Sequence, residues 1–235
     1  MSNSPQKQLE YLDLPTKELL EKFGEGKHIP GSGSAAALSG LLACQLIKTV
    51  CKLTRRKPQY SDVHLALQYI QEQIETKYQP NLLNFFNNDI KVFDQVSKLR
   101  KRRDKEEDEK QKRKLSKQAT DKLKEATELP LEVCKACLKL LDFGFSIFDT
   151  GFKSARGDSG VAISNLLSAA SGSLFITFLN LKTARESKWT LGIRTEAEQL
   201  AKEYSKKHKE AIKRITSLYS EGLPTGSTQA ELGLE

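Results

Sequence analysis

Apolar residues return at spacings of three and four through most of the chain. Leu38, Leu42, Leu46, Val50 and Leu53 form one stripe, and Leu67, Ile70, Ile74, Leu82, Phe86, Ile90, Phe93 and Val96 form a longer one. That spacing puts one face of an α-helix against a core. No stretch alternates with period two, so the pattern predicts an all-α fold, a bundle of long antiparallel helices. Asp13 caps a short helix with Pro15 early in it and Gly24 at its end, and the next helix runs from Gly33 to about Thr54. Arg55-Arg56-Lys57-Pro58 breaks that helix, Ser61 caps the following one, and Pro80 and Pro130 mark two kinks. Helical spacing continues from Leu115 to about Phe148, a loop spans 149–157, and Asp158 starts a helix over 159–186. Thr195 caps a last helix ending near Tyr219. Residues 1–221 read as one helical domain with a loose start, and 222–235 as a disordered polar tail.

Between Val161 and Leu181 there is no charged residue, a run long enough to span a membrane. Its Ser164, Asn165, Ser168, Ser171, Ser173, Thr177 and Asn180 argue instead for a fully buried central helix of a soluble bundle. Several neighbours would cover it, a second copy of the chain among them, and the small Ser168, Ala169, Ala170 and Gly172 permit close helix contact. A homodimer is therefore expected, and no membrane partner.

The chain has 235 residues, 38% of them hydrophobic and 7% aromatic, which favours packed helices over sheets. Its net charge of +8 is uneven, because Lys98–Lys117 alone holds eleven Lys/Arg and five Asp/Glu. That run is either a hairpin between helices or their exposed ends. Five acids among the bases, and no aromatics to stack on, argue against nucleic acid as a partner. The four cysteines, with no signal peptide before them, point to a reducing, cytoplasmic setting. Cys134-x-x-Cys137 sits in a helical pattern and the three histidines are scattered, so no metal site is expected.

Three features carry candidate chemistry. Pro30-Gly31-Ser32-Gly33-Ser34 precedes the small residues Ala35 to Gly40, so a glycine-rich loop opens a slim helix. Such a start directs free N–H groups forward and suits either tight packing or an anionic or planar ligand. Asp89 borders the stripe of Phe86, Ile90 and Phe93. It is either a surface ion-pair member or a partly buried carboxyl that carries protons near neutrality. Asp158 is either a helix cap or a second carboxylate of the same cleft. No nucleophile triad, phosphate-binding loop or dinucleotide fingerprint occurs.

In order along residues 10–190, the chain resembles the cyclodeaminase/cyclohydrolase family. Pro30-Gly31-Ser32-Gly33-Ser34 matches the family's Pro-Gly-Gly-Gly-Ser loop, and Asp89-Ile90-Lys91-Val92-Phe93-Asp94-Gln95-Val96 its Asp-Ala-x-Ala-Phe-x-x-Val segment. Ala126-Thr127-Glu128-Leu129-Pro130-Leu131 matches a kink motif, and Gly151, Asp158-Ser159-Gly160-Val161-Ala162 and Asn180-Leu181 match later ones. The resemblance implies a helical homodimer acting on a one-carbon tetrahydrofolate derivative, with no other cofactor. It makes Asp89 the catalytic carboxylate, Asp158 its support, and Gly31, Ser32, Gly33, Ser34 and Asn180 ligand-binding. Either a 5-formiminotetrahydrofolate cyclodeaminase or a 5,10-methenyltetrahydrofolate cyclohydrolase fits. Arg55, Arg56, Lys101 or Arg103 would attract the folate's glutamate tail. Ser32, Phe152 and Ile176 depart from the expected glycine and two asparagines, and Leu99-Arg100-Lys101 from a Leu-Pro-Lys turn. The alternative these raise is an inactive family member that binds folate or a partner.

Overall fold

The computed structural model describes residues 11–221; the first ten residues and the expected tail at 222–235 lie outside the described residues. Seven α-helices and no strand occur among them: α1 Thr16–Gly24, α2 Ser32–Arg55, α3 His64–Gln73, α4 Gln79–Asp104, α5 Glu109–Thr150, α6 Arg156–Thr183 and α7 Lys188–Ser220. α2 and α6 run side by side, α5 packs along α6, and α4 folds back on α5. The charged run 98–117 is both things the sequence allowed, the end of α4 and the start of α5 joined in a hairpin. Asp108 caps α5 there by accepting the Lys110 N–H at 2.9 Å.

The core face of α2 is centred beside the leucine stripe, with Leu38, Leu46 and Leu53 half-buried at its edge. Ala37, Ala43, Cys44, Ile47, Val50 and Cys51 are fully buried, whereas Leu42 is 52% exposed. Small residues win that face because α4, α5 and α6 all crowd α2. A Cβ at Gly40 would lie 3.2 Å from Leu82 Cδ1 and 3.3 Å from Cys137 Sγ. The stripe on α4 also turns: Leu82, Phe86, Val92 and Val96 are buried, while Phe93 is 38% exposed.

Helix starts differ from expectation where local chemistry decides them. α1 begins after Pro15, with Asp13 in a preceding 3-10 turn, and Ser61 lies inside a 3-10 segment (Pro58–Val63) before α3. A single π turn, Ile74–Tyr78, precedes α4, so Pro80 falls in a first turn that needs no N–H from it. α6 begins at Arg156, which leaves Asp158 inside its first turn rather than at its cap. α7 starts seven residues before Thr195, through a capping box between Ser187 and Thr190.

α6 is covered unevenly by its own chain. Ala162, Leu166, Ala169 and Ala170 are buried, but Val161, Phe175 and Leu179 are 53%, 71% and 58% exposed. Within the chain α2, α5 and α7 cover only one side of it. Two segments, Ser32–Arg55 and Lys153–Thr183, are long and apolar enough to cross a membrane; 56% and 44% of their apolar windows are buried in the bundle. All four cysteines are buried free thiols, and burial pushes Cys44, Cys51 and Cys134 up to about 12. No cluster of three or more potential metal ligands occurs among the described residues.

Candidate active site

The first turn of α2 has free N–H groups and no side-chain cap of its own. α4 supplies one from 55 residues away: Asp89 Oδ2 accepts the Ser34 N–H at 2.9 Å and the Ser34 hydroxyl at 2.8 Å. Gly33 makes room for this approach. A Cβ there would stand 2.1 Å from Asp89 Oδ1 and 2.5 Å from its Cγ. Burial raises the Asp89 carboxyl above the ordinary aspartate value, and the two Ser34 bonds pull it only part of the way back. A carboxyl so placed exchanges protons closer to neutrality than a surface aspartate does.

Asp89 lines a cleft of about 150 Å³ whose base is the Gly31–Gly33 backbone. Phe93, Ile176 and Leu179 form apolar walls, and His28 and Asn180 add polar groups. Asn180 is held there by an older deficit. Pro130 has no N–H, so the carbonyl four residues before it in α5, that of Ala126, lacks its helical donor. Asn180 Nδ2 from α6 donates to that oxygen at 3.1 Å. The kink in α5 and the amide in the cleft are thus one arrangement.

The sequence profile of the formiminotransferase-cyclodeaminase family matches residues 15–199, a span that holds the glycine loop, Asp89, Pro130 and Asn180. The chain belongs to that family. A methenyltetrahydrofolate cyclohydrolase of Methylorubrum extorquens is 28% identical over 169 residues, covering 70% of this chain and 80% of its own. The crystal structure of a formiminotetrahydrofolate cyclodeaminase from Thermotoga maritima shares the fold, with a TM-score of 0.76 at 22% identity over 89% of this chain and 100% of that one.

Of the residues the sequence singled out, this member of the formiminotransferase-cyclodeaminase family gathers Gly31, Ser32, Gly33, Asp89 and Asn180 along one cleft, with Ser34 bonded to Asp89. Asp158 is not among them. It precedes Asn180 on α6 by 22 residues, about 33 Å at the rise of an α-helix. Within one chain the length of α6 separates it from the cleft. Phe152 also lies elsewhere: its N–H donates to Thr54 Oγ1 at 2.9 Å, and the Lys57 ammonium sits 4.2 Å from its ring centroid. That departure leaves the cleft untouched, whereas Ile176 makes one wall of it apolar. Arg55 and Arg56 stand at the far end of α2 from Ser34, about 32 Å away. Lys101 and Arg103 lie three turns beyond Asp89 on α4, with Arg103 paired to Asp104 at 2.7 Å. A wider groove of about 460 Å³ flanks the α4–α5 hairpin beside Lys98, Arg102 and Lys122. Two of its cations are already paired, Lys98 with Asp94 at 2.6 Å and Lys122 with Glu125 at 2.7 Å. His28 went unrecognised in the sequence, although it stands two residues before Pro30 in the loop that leads to Gly31.

Proposed function

We propose that the chain is a cytoplasmic one-carbon folate enzyme acting on the carbon that bridges N5 and N10 of tetrahydrofolate. The observation that carries this reading is Asp89, a carboxyl raised by burial at the glycine-rich start of α2 and facing a small cleft. The two relatives, a methenyltetrahydrofolate cyclohydrolase and a formiminotetrahydrofolate cyclodeaminase, agree with it. In the cyclodeaminase reaction N10 attacks the formimino carbon and ammonia leaves. In the cyclohydrolase reaction water adds to the bridging carbon of the methenyl form and one C–N bond opens. Either nucleophile loses a proton as it attacks, and Asp89 is the group that takes it. Neither step changes the oxidation state of that carbon, so acid–base groups suffice and the folate is substrate rather than cofactor.

The cleft is smaller than the roughly 300 Å³ at which ligand pockets usually begin, so most of a folate lies outside it. A second copy of the chain supplies further cover in this reading. Pairing of two α6 faces would bury Val161, Phe175 and Leu179, which a single chain leaves exposed. The decisive assay incubates purified protein with 5-formiminotetrahydrofolate and with 5,10-methenyltetrahydrofolate and follows the absorbance of the methenyl form. Turnover of one or both is expected. Ile176 favours a second reading, an inactive folate-binding member. Calorimetric binding of reduced folates without turnover would establish that one instead.

A further inference from the structure

We propose that His28 is a second proton carrier of the Asp89 cleft, the acid that protonates the nitrogen leaving the bridging carbon. The assignment rests on the folate reading above. His28 and Asp89 are the ionisable side chains among the described residues lining the cleft. They reach it from different elements, His28 from the loop before α2 and Asp89 from α4. Phe93 lies one helical turn beyond Asp89 on the same side of α4, and its ring packs against the His28 imidazole at 6.1 Å between centroids, tilted by 53°. The loop holds the histidine close to the glycines, since a Cβ on Gly31 would come within 3.0 Å of the His28 carbonyl oxygen.

The electrostatic surroundings leave the two groups to each other. Ala126 from α5, and Ile176, Leu179 and Asn180 from α6, bring no charge to the cleft. On the histidine's own segment Lys27 is bound to Glu25 at 2.6 Å, and Glu25 also binds Lys22 at 2.6 Å. On α4, Asp94 is paired with Lys98 at 2.6 Å, and Lys91 is exposed.

The chemistry calls for two groups. In the deaminase reaction the N10–C bond forms on the protonated formimino group (N5–CH=NH₂⁺), whose C=N electron pair moves to nitrogen to give C–NH₂, and the N10 proton passes to Asp89. The C–NH₂ bond then breaks, with its electron pair on nitrogen, as that nitrogen takes the His28 proton and departs as ammonia. In the hydrolase reaction a water O–C bond forms and the water proton passes to Asp89. N5 then takes the His28 proton, the C–N5 bond breaks, and the hydroxyl proton is released as the formyl C=O forms. Asp89 is tied at Oδ2 by both Ser34 donors, so it serves the attacking side. His28 is exposed, so a proton it gives up can be replaced directly from solvent.

The test is the pH dependence of kcat for the full chain with each folate, in the wild type, His28→Gln and His28→Ala. General acid catalysis is worth about 10²–10⁴-fold. kcat should fall by that order with KM little changed, and the alkaline limb, where the acid loses its proton, should vanish while the acidic limb of Asp89 persists. Added imidazole should restore part of the His28→Ala rate, which a merely structural histidine would not permit. Unchanged kcat and profile in both variants, or a rise in KM alone, would overturn the assignment. If one variant fails to melt cooperatively, the other decides. A wild type that turns over neither folate would overturn the function itself, and the assignment with it.

Discussion

Asp89 does two jobs whose demands conflict. It caps α2, which favours the anion, and it is buried enough that the proton is held more tightly than in water. Asp89→Asn keeps an acceptor for Ser34 but cannot titrate. Turnover is expected to drop about 10²–10⁴-fold with the fold intact, checked by kinetics beside a melting curve. Because folding raises this carboxyl, its proton stabilises the native state fully below the ordinary aspartate range. That contribution is lost as pH rises through the raised value. The melting temperature of Asp89→Asn should therefore gain on the wild type as pH climbs from acid toward neutrality; a constant difference would contradict the burial. Gly33→Ala should mimic the kinetic defect, since a methyl group 2.1 Å from Oδ1 must displace the carboxylate. Sequence alone could mark Asp89 and the glycine loop, because a helix start and a stripe border are local signals. It could not give the separation of Asp158 from Asn180 within the chain, which depends on the length of α6, nor find His28, which no periodicity marks.

At the scale of elements, the two prolines were visible and their consequences were not. Pro80 is absorbed by a π turn before α4, whereas Pro130 leaves an open carbonyl inside α5 that a third element must answer. Asn180→Ala removes that answer and should cost about 1–3 kcal/mol, the usual penalty for an unpaired buried acceptor. In a Pro130→Ala background residue 130 regains an N–H for the Ala126 oxygen, so the same change should cost less. Denaturant titrations of the four proteins give the coupling directly; strict additivity would mean that Asn180 does not act through Ala126. The start of α7 escaped the sequence reading for a related reason. Its box is closed by Thr190, where Glu or Gln is the familiar partner.

For the molecule as a whole, the long helices were legible from spacing and punctuation, although the one expected from Ser61 through Val96 is divided into α3 and α4 by a π turn. The faces they bury were only partly legible. Hydrophobicity says that a surface is kept from water, not which chain keeps it. On α2 the slim face is the most deeply buried, and Leu38, Leu46 and Leu53 pack at its edge. On α6 the exposed apolar residues are those that its own chain leaves open. Phe175, 71% exposed, is the point of greatest leverage on that surface. If α6 pairs with a second copy, Phe175→Lys should shift sedimentation toward a single-chain mass near 26 kDa while helical content stays the same. A wild type already at that mass at micromolar concentration would dispose of the pairing. α7 is fixed independently of that surface, through Arg214 to Asp149 at 2.6 Å and Arg156 to Glu221 at 2.6 Å.

The hydrogen bond from the Ser34 amide to Asp89 also makes the backbone a witness to the chemistry. Whenever that carboxyl gains or gives up a proton, the charge at the end of the amide's bond changes. The amide nitrogen and hydrogen of one residue, on a different helix from the carboxyl itself, therefore carry a magnetic resonance signal that titrates with the site. Isotope-labelled protein would show it as a chemical-shift curve at Ser34 that disappears in Asp89→Asn. A folate settling into the cleft would move the midpoint of that curve, so occupancy could be followed without waiting for turnover.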